Sequence, residues 1–277
     1  MTEQGGAGSA GGVSVVIPTW NRAAILGSAI RSALNQSWPP LEVLVCDDGS
    51  TDDTREVVAR IADARVRWIP GARGGRPAIP RNRGLLEARG EWIAFLDSDD
   101  EWHAEKCEAQ LARLRQSGRL ACCSNAARVV GGRDAGPLLQ FTSDVLTFEA
   151  LAKCNQVVCS SMLLHRSLLP RIAGFPEAKA LTALEDYALW LRVSTLTDID
   201  YLTYPLVSYR DDPAASVRAD GMDINVQRRA VMTDFLAWCS TQQGERMRTA
   251  ERIAERHLTL TRCPRLVTWA LRVLGIA

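Results

Sequence analysis

The chain has 277 residues, 47% hydrophobic and 23% charged, with 33 basic against 32 acidic side chains and a formal net charge of +1. That composition excludes a disordered or fibrous chain, and the balanced charge argues against a general nucleic-acid binder, which carries a basic excess. No run approaches the ~18 apolar residues of a membrane span.

Residues 13–17 read as a short apolar strand stopped by Pro18. A helix follows over 22–35, with Ile25, Leu26, Ala29, Ile30 and Ala33 on one face. The second strand, 41–46, ends in Asp47-Asp48-Gly49-Ser50, and residues 50–53 supply the start of a helix reaching about 62. A third strand spans 66–69, a Gly/Pro/Arg-rich loop 70–80, and helical turns 82–88. The fourth strand, 91–96, runs directly into Asp97-Ser98-Asp99-Asp100. This alternation is that of an α/β protein, a Rossmann-like, mostly parallel sheet flanked by helices. Further on, helices are expected at 104–116 and 185–194 and strands at 120–124, 157–164 and 201–209. From residue 223 the pattern is wholly helical.

None of the 8 cysteines forms a C-x-x-C pair, and Cys46, Cys122, Cys123 and Cys159 lie in apolar runs where a thiol acts as a small buried hydrophobe. Residues 1–12 are Gly/Ala/Ser-rich and lack the regions of a signal peptide. A cytoplasmic protein is the expectation.

Three strands end in polar turns: Thr19-Trp20-Asn21, Asp47-Asp48-Gly49 and Asp97-Ser98-Asp99. Open α/β sheets bind ligands beyond the carboxyl ends of their strands, so these turns should converge on one crevice. In extended chain Asp97 and Asp99 point the same way, and such a pair suits magnesium or manganese bridging to a diphosphate. Asp48 can accept the donor of a pyrimidine base while Gly49 lets the backbone turn closely. Arg76, Arg81 and Arg83, between glycines at a helix start, favour phosphate. Glu185 and Asp186 open an apolar helix whose dipole should keep them ionised, so that one can serve as general base. Taken singly, each pattern also has a structural reading as a helix cap, a tight turn or a solvated loop.

Together the segments resemble the inverting, non-processive family 2 glycosyltransferases of GT-A fold. The matching residues are Val15-Val16-Ile17-Pro18-Thr19-Trp20-Asn21-Arg22, Val43-Leu44-Val45-Cys46-Asp47-Asp48-Gly49-Ser50-Thr51-Asp52 and Pro80-Arg81-Asn82-Arg83-Gly84-Leu85. Gly90 to Asp100, Gly174-Phe175-Pro176 and Glu185-Asp186 complete the order. The resemblance implies single transfer of a sugar, with inversion, from a nucleotide-diphosphate sugar, typically a UDP-sugar. The acceptor would be a hydroxyl of a saccharide, glycolipid or small-molecule glycoside. It implies that Pro18, Thr19, Asn21 and Arg22 border the nucleotide and that Asp48 binds its base. Arg81 approaches base or diphosphate, Asp97 and Ser98 the ribose side, Asp97 and Asp99 the Mn2+ or Mg2+, and Asp186 is the catalytic base. It divides the chain into a disordered 1–12, a nucleotide-binding half 13–100, an acceptor-binding half 101–215 and a helical extension 216–277.

Relatives often carry a histidine after a late Tyr-Arg; here Tyr209-Arg210 precedes Asp211-Asp212-Pro213, leaving Asp211 or Asp212 to substitute. The Q-x-x-R-W motif of processive enzymes is absent. A basic, Trp-bearing helix over 262–274 can pack on the body or on a second subunit, forming a homodimer, or lie at the inner face of a membrane. Two other readings are a sugar-nucleotidyltransferase, whose Gly-rich basic loop would follow the first strand directly, and a silent nucleotide-sugar-binding module.

Overall fold

The computed structural model describes residues 11–140, 143–211 and 223–262. Strand β1, Val13–Thr19, is buried along its whole length, as befits a strand paired on both edges and covered on both faces. It pairs in parallel with β2, Glu42–Asp47, and with β4, Trp92–Phe95; β3, Val66–Ile69, adds in parallel outside β2. The connections are α1, Leu26–Leu34; α2, Thr54–Ile61; and α3, Ala78–Glu87.

The second half contributes β5, Glu101–Trp102; β6, Ala121–Val130; β7, Arg133–Pro137; β8, Val145–Leu146; β9, Leu163–His165; and β10, Ile199–Arg210. The sheet order is β3-β2-β1-β4-β9-β6-β10-β5, with β7 on β6 and β8 on β10. Strand β9 runs antiparallel to both β4 and β6, joining the parallel first half to a mixed second half. Helices α4, Lys106–Ser117; α5, Phe148–Lys153; α6, Leu169–Ile172; and α7, Glu185–Leu196, cover this part. Two further helices, α8, Ile224–Cys239, and α9, Glu245–Arg262, follow.

Alternation along β1 divides the core. Val13, Val15 and Ile17 face the cluster that holds Leu26, Ile30 and Leu111, while Val16 faces the one that holds Trp190, Phe235 and Ala254. Helix α7 is buried almost all round, with Ala188, Leu189, Trp190, Leu191 and Val193 each fully covered. The first helices of the C-terminal extension therefore pack on the sheet domain; the helix expected over 262–274 lies outside the described residues beyond Arg262, as do residues 1–10 of the expected disordered N-terminus.

Several boundaries differ from the sequence reading. Strand β1 passes through Pro18 and ends at Thr19, because the N–H that proline lacks would face β4, whose pairing with β1 ends at Val16. Helix α3 begins at Ala78, inside the expected loop, and tolerates Pro80 because first-turn residues need no N–H partner. The strand expected over 157–164 is a 3-10 turn at Cys159–Ser161 followed by the three residues of β9. Helix α1 begins four residues later than expected, at Leu26, since Asn21, Arg22 and Ala23 bond with the segment after β2 instead. Among the described cysteines only Cys154 is exposed, and Cys46, Cys122, Cys123 and Cys159 are buried and free as expected.

Candidate active site

Strands β2, β1 and β4 lie side by side, so the turns that follow them open on one edge of the sheet. At about 4.8 Å between strands, the turn after β2 and the turn after β4 stand on the order of 10 Å apart, with Thr19 between them. The Asp48 N–H donates to the Thr19 carbonyl at 2.9 Å and carries the β1–β2 pairing to its end. Thr19 Oγ1 is buried and finds no partner among the described residues.

The turn after β2 is built by its own side chains. Asp47 accepts the N–H groups of Gly49 and Ser50 at 3.1 Å, and Gly49 sits at φ +77°. A Cβ on Gly49 would stand 2.8 Å from the Arg73 nitrogen, so only glycine lets the 70–77 loop close over the turn. Asp48, nearly covered, accepts the N–H groups of Gly74 and Gly75 at 2.8 and 2.9 Å and is paired with Arg73. The Arg73 guanidinium lies 3.8 Å from the centroid of the half-exposed Trp20 ring. Asn21, at φ +51°, uses its side-chain oxygen to accept the Thr51 N–H at 2.8 Å, and its own N–H donates to Ser50 Oγ at 2.9 Å. Its side chain ties two loops together.

The turn after β4 is held from below. The Asp97 N–H donates to Ser160 Oγ at 3.0 Å, Ser160 Oγ donates to Asp100 Oδ2 at 2.6 Å, and the Arg210 N–H donates to Asp100 Oδ1 at 3.0 Å. Asp100 is therefore the buried anchor of the motif; Ser98 is buried beside it, while Asp97 and Asp99 stay partly open. Burial first, then the charges of Asp97 and Asp99, pushes the Asp100 carboxyl well above the usual carboxylate range. Asp99 is raised by burial and by Asp97, against the pull of Arg22, whose guanidinium lies 3.6 Å away.

Arg81 connects this turn to α7. Its Nη2 donates to Asp97 Oδ1 at 2.5 Å and its Nη1 to Glu185 Oε1 at 3.2 Å, in a site where Arg81 and Glu185 are almost fully buried. Asp186 is partly buried next to Glu185, and its carboxyl is raised to about 6 by burial and then by the Glu185 charge, with Arg81 opposing and Asp97 adding. The sequence reading expected the helix dipole to hold these carboxylates down; for Asp186 desolvation is the larger effect. Glu185 Oε2 and Arg81 Nε find no partner among the described residues. Phe175 lies under Arg81, 5.3 Å from its guanidinium carbon, and is fixed by Asn82, which exchanges two 2.8 Å hydrogen bonds with its backbone.

The structure thus brings Asp97, Asp99, Arg22, Arg81, Glu185 and Asp186 together, with Thr19 and Asp48 on the same sheet edge. Of the loop arginines, Arg81 goes to carboxylates and Arg83 donates to the Asp47 carbonyl at 2.6 Å, so neither stands free for phosphate. Asp211 is paired with Arg128 at 2.6 Å, and Asp212 lies outside the described residues. Sequence reasoning missed Arg73 and Ser160. Arg73 stood in the noted basic loop, but nothing in its spacing tied it to Asp48; Ser160 carried no signal at all.

Magnesium and manganese need hard oxygen donors, and magnesium is held by one or two carboxylates plus substrate phosphates. Asp97 and Asp99 fit that half-shell, and no described group of three His, Cys, Asp or Glu residues forms a complete protein cage.

A parallel β3-β2-β1-β4 core, continued by mixed strands and carrying acids at its carboxyl edge, is the GT-A arrangement of glycosyltransferases. The family model described as Glycosyl transferase family 2 matches residues 14–169, more than half of the chain, and the protein belongs to that family of enzymes. A UDP-Glc:alpha-D-GlcNAc-diphosphoundecaprenol beta-1,3-glucosyltransferase of Escherichia coli is 32% identical over 181 residues, 65% of this chain and 69% of that one. The fold matches S. aureus TarS 1-349 in complex with UDP-GlcNAc, with a TM-score of 0.71, 21% identity and coverage of 89% of this chain and 70% of that one. It also matches the Pyrobaculum calidifontis mannosyltransferase PcManGT in complex with GDP-Man and Mn2+, with a TM-score of 0.56, 19% identity and coverage of 95% and 80%.

Proposed function

We propose that the protein transfers one sugar, with inversion, from a UDP-sugar to a hydroxyl of a saccharide carried on a lipid diphosphate. The observation that carries this reading is the Asp97–Arg81–Glu185 bridge, which sets the acidic turn of β4 beside Asp186. The acceptor class is taken from the Escherichia coli relative, whose name specifies a diphosphoundecaprenol-linked GlcNAc.

In this reading Asp48 receives the base and Thr19 Oγ1, buried without a partner, hydrogen-bonds the nucleoside. Asp97 and Asp99 are the residues that would hold magnesium or manganese, which supplies positive charge to the leaving diphosphate when bound. Asp186 takes the proton from the acceptor hydroxyl. The freed oxygen bonds to the anomeric carbon as the bond to the diphosphate breaks on the opposite side, so the anomeric configuration inverts. A carboxyl poised near 6 is ionised at neutral pH yet basic enough to accept that proton. Arg81 holds Asp97 and Glu185 in place and keeps their charges from pushing Asp186 higher still. Access to cytosolic donors and to a lipid-linked acceptor fits a cytoplasmic protein working at the inner face of a membrane. No helix among the described residues is long and apolar enough to cross one.

The test is an assay with UDP-sugars, manganese and a synthetic lipid-diphosphate GlcNAc. Release of UDP with a product of inverted anomeric configuration is expected. Retained configuration, or release of pyrophosphate, would overturn the reading in favour of another mechanism or of nucleotidyl transfer.

A further inference from the structure

We propose that Arg73 is an internal occupant of the nucleobase subsite, so that the donor must displace it in order to bind. The inference rests on the donor-site reading above. Asp48 and Trp20 are the two groups on this sheet edge suited to a base, one as hydrogen-bond acceptor and the other as a stacking surface. Arg73 uses both at once. Its guanidinium is planar, bonds the Asp48 carboxylate and lies at stacking distance, 3.8 Å, from the Trp20 ring centroid.

A pyrimidine hydrogen-bonded to Asp48 and stacked on Trp20 would fill the same slab of space. The remaining Asp48 contacts leave little choice of approach, because Gly74 and Gly75 already donate to Oδ1 and Oδ2 at 2.8 and 2.9 Å. The glycine pair anchors the loop without using side chains, so Arg73 can leave while the loop stays. Its side chain is 42% exposed, against 3% for Asp48, which gives it solvent to swing into.

The consequence has a distinctive sign. Removing a cation near a diphosphate site ordinarily weakens anion binding. Removing an occupant that holds the site closed strengthens binding, since the apparent dissociation constant is the intrinsic one divided by the open fraction. A half-exposed charge pair with a cation–π contact would keep the open form a minority by about 5- to 20-fold.

The experiment is calorimetric titration of the full chain and of Arg73→Ala and Arg73→Gln with UDP, and with inorganic pyrophosphate for comparison. Melting curves check that both variants fold. Arg73→Ala is expected to bind UDP about 5- to 20-fold more tightly than wild type, Arg73→Gln to fall between, and pyrophosphate to show no gain. If wild type binds UDP and Arg73→Ala binds it equally or more weakly, the displacement idea is wrong while the donor-site reading stands. If neither binds UDP, the base assignment to Asp48 falls and takes this inference with it. A gain shared by pyrophosphate would also overturn it, because the base would not be what Arg73 excludes.

Discussion

Arg81 and Glu185, 104 positions apart in the chain, meet at 3.2 Å with both side chains about 5% exposed. The same guanidinium reaches Asp97 at 2.5 Å, so one cation neutralises an acid from α7 and an acid from the turn after β4. Breaking one side of such a pair leaves a buried charge uncompensated, at a cost of about 3–5 kcal/mol. Arg81→Met should lower stability by that order, and Arg81→Met with Glu185→Gln should recover most of it. Denaturant melts of the two singles and the double form the cycle. Equal losses in the single Arg81→Met variant and the double would show that Glu185 is not what Arg81 stabilises.

Asp186 links activity to pH. A base must be ionised, so with its carboxyl near 6 the value of kcat/KM should fall tenfold per pH unit below about 6 and level off above. Asp186→Asn should lose on the order of 10²–10⁴ in rate with UDP affinity retained, and should lose that acid limb. Collapse of donor affinity instead would move Asp186 out of the base role.

The same group affects stability in the opposite direction. Its folded pKa of about 6 lies above the ordinary 3.8, so the native state binds more protons between those values and stability contributed here falls as pH rises through that window. Asp186→Asn should therefore stabilise the protein by roughly 1–3 kcal/mol at pH 7, and by little below pH 4. Melting at the two pH values reads the difference.

Among the described residues the Asp99 side chain accepts no hydrogen bond from another residue, unlike those of Asp97 and Asp100, and it forms an ion pair with Arg22 at 3.6 Å. Asp99→Ala should leave melting within about 0.5 kcal/mol of wild type. Manganese stimulation of UDP release should disappear, as should any further effect of chelator. Unchanged stimulation would remove Asp99 from the cation site.

Asp100 is the contrasting case. Ser160 Oγ and the Arg210 N–H both end on it, so Asp100→Ala strands one buried and one part-buried donor and should cost about 1–3 kcal/mol. Asp100→Asn keeps an acceptor and relieves the crowded charge, so its loss should be smaller. Comparable losses would mean that the carboxylate itself is required.

Much of the site was legible because its parts are local. Asp97 and Asp99 follow directly on a short apolar strand, although β4 ends at Phe95 and a turn closed by the Asp100 N–H on the Asp97 carbonyl, not the expected extended-chain alternation, presents them. Asp47-Asp48-Gly49 is a turn written by neighbours. Boundaries failed where distant partners overrode local preference, as when residues 21–23 bonded the Ser50–Thr54 segment instead of starting α1. The Gly84 contact shows the same limit. A Cβ there would stand 2.5 Å from Val16 and 2.8 Å from Cys46, a closeness of α3 to β1 and β2 that no spacing in the chain reveals.

What the chain determined by itself is periodic and short-range: a parallel core of four apolar strands, two of which, β2 and β4, run into acidic turns. Which acids share a counter-ion, which are anchors, and which arginine lies on Trp20 were decided by the assembled molecule. Arg81, Arg73 and Ser160 act on groups 16 to 104, 25 and 60 to 63 positions away, respectively. A side chain's partner at that range depends on strand order and helix docking, and desolvation, which moves Asp186 to about 6, exists only once the core has closed.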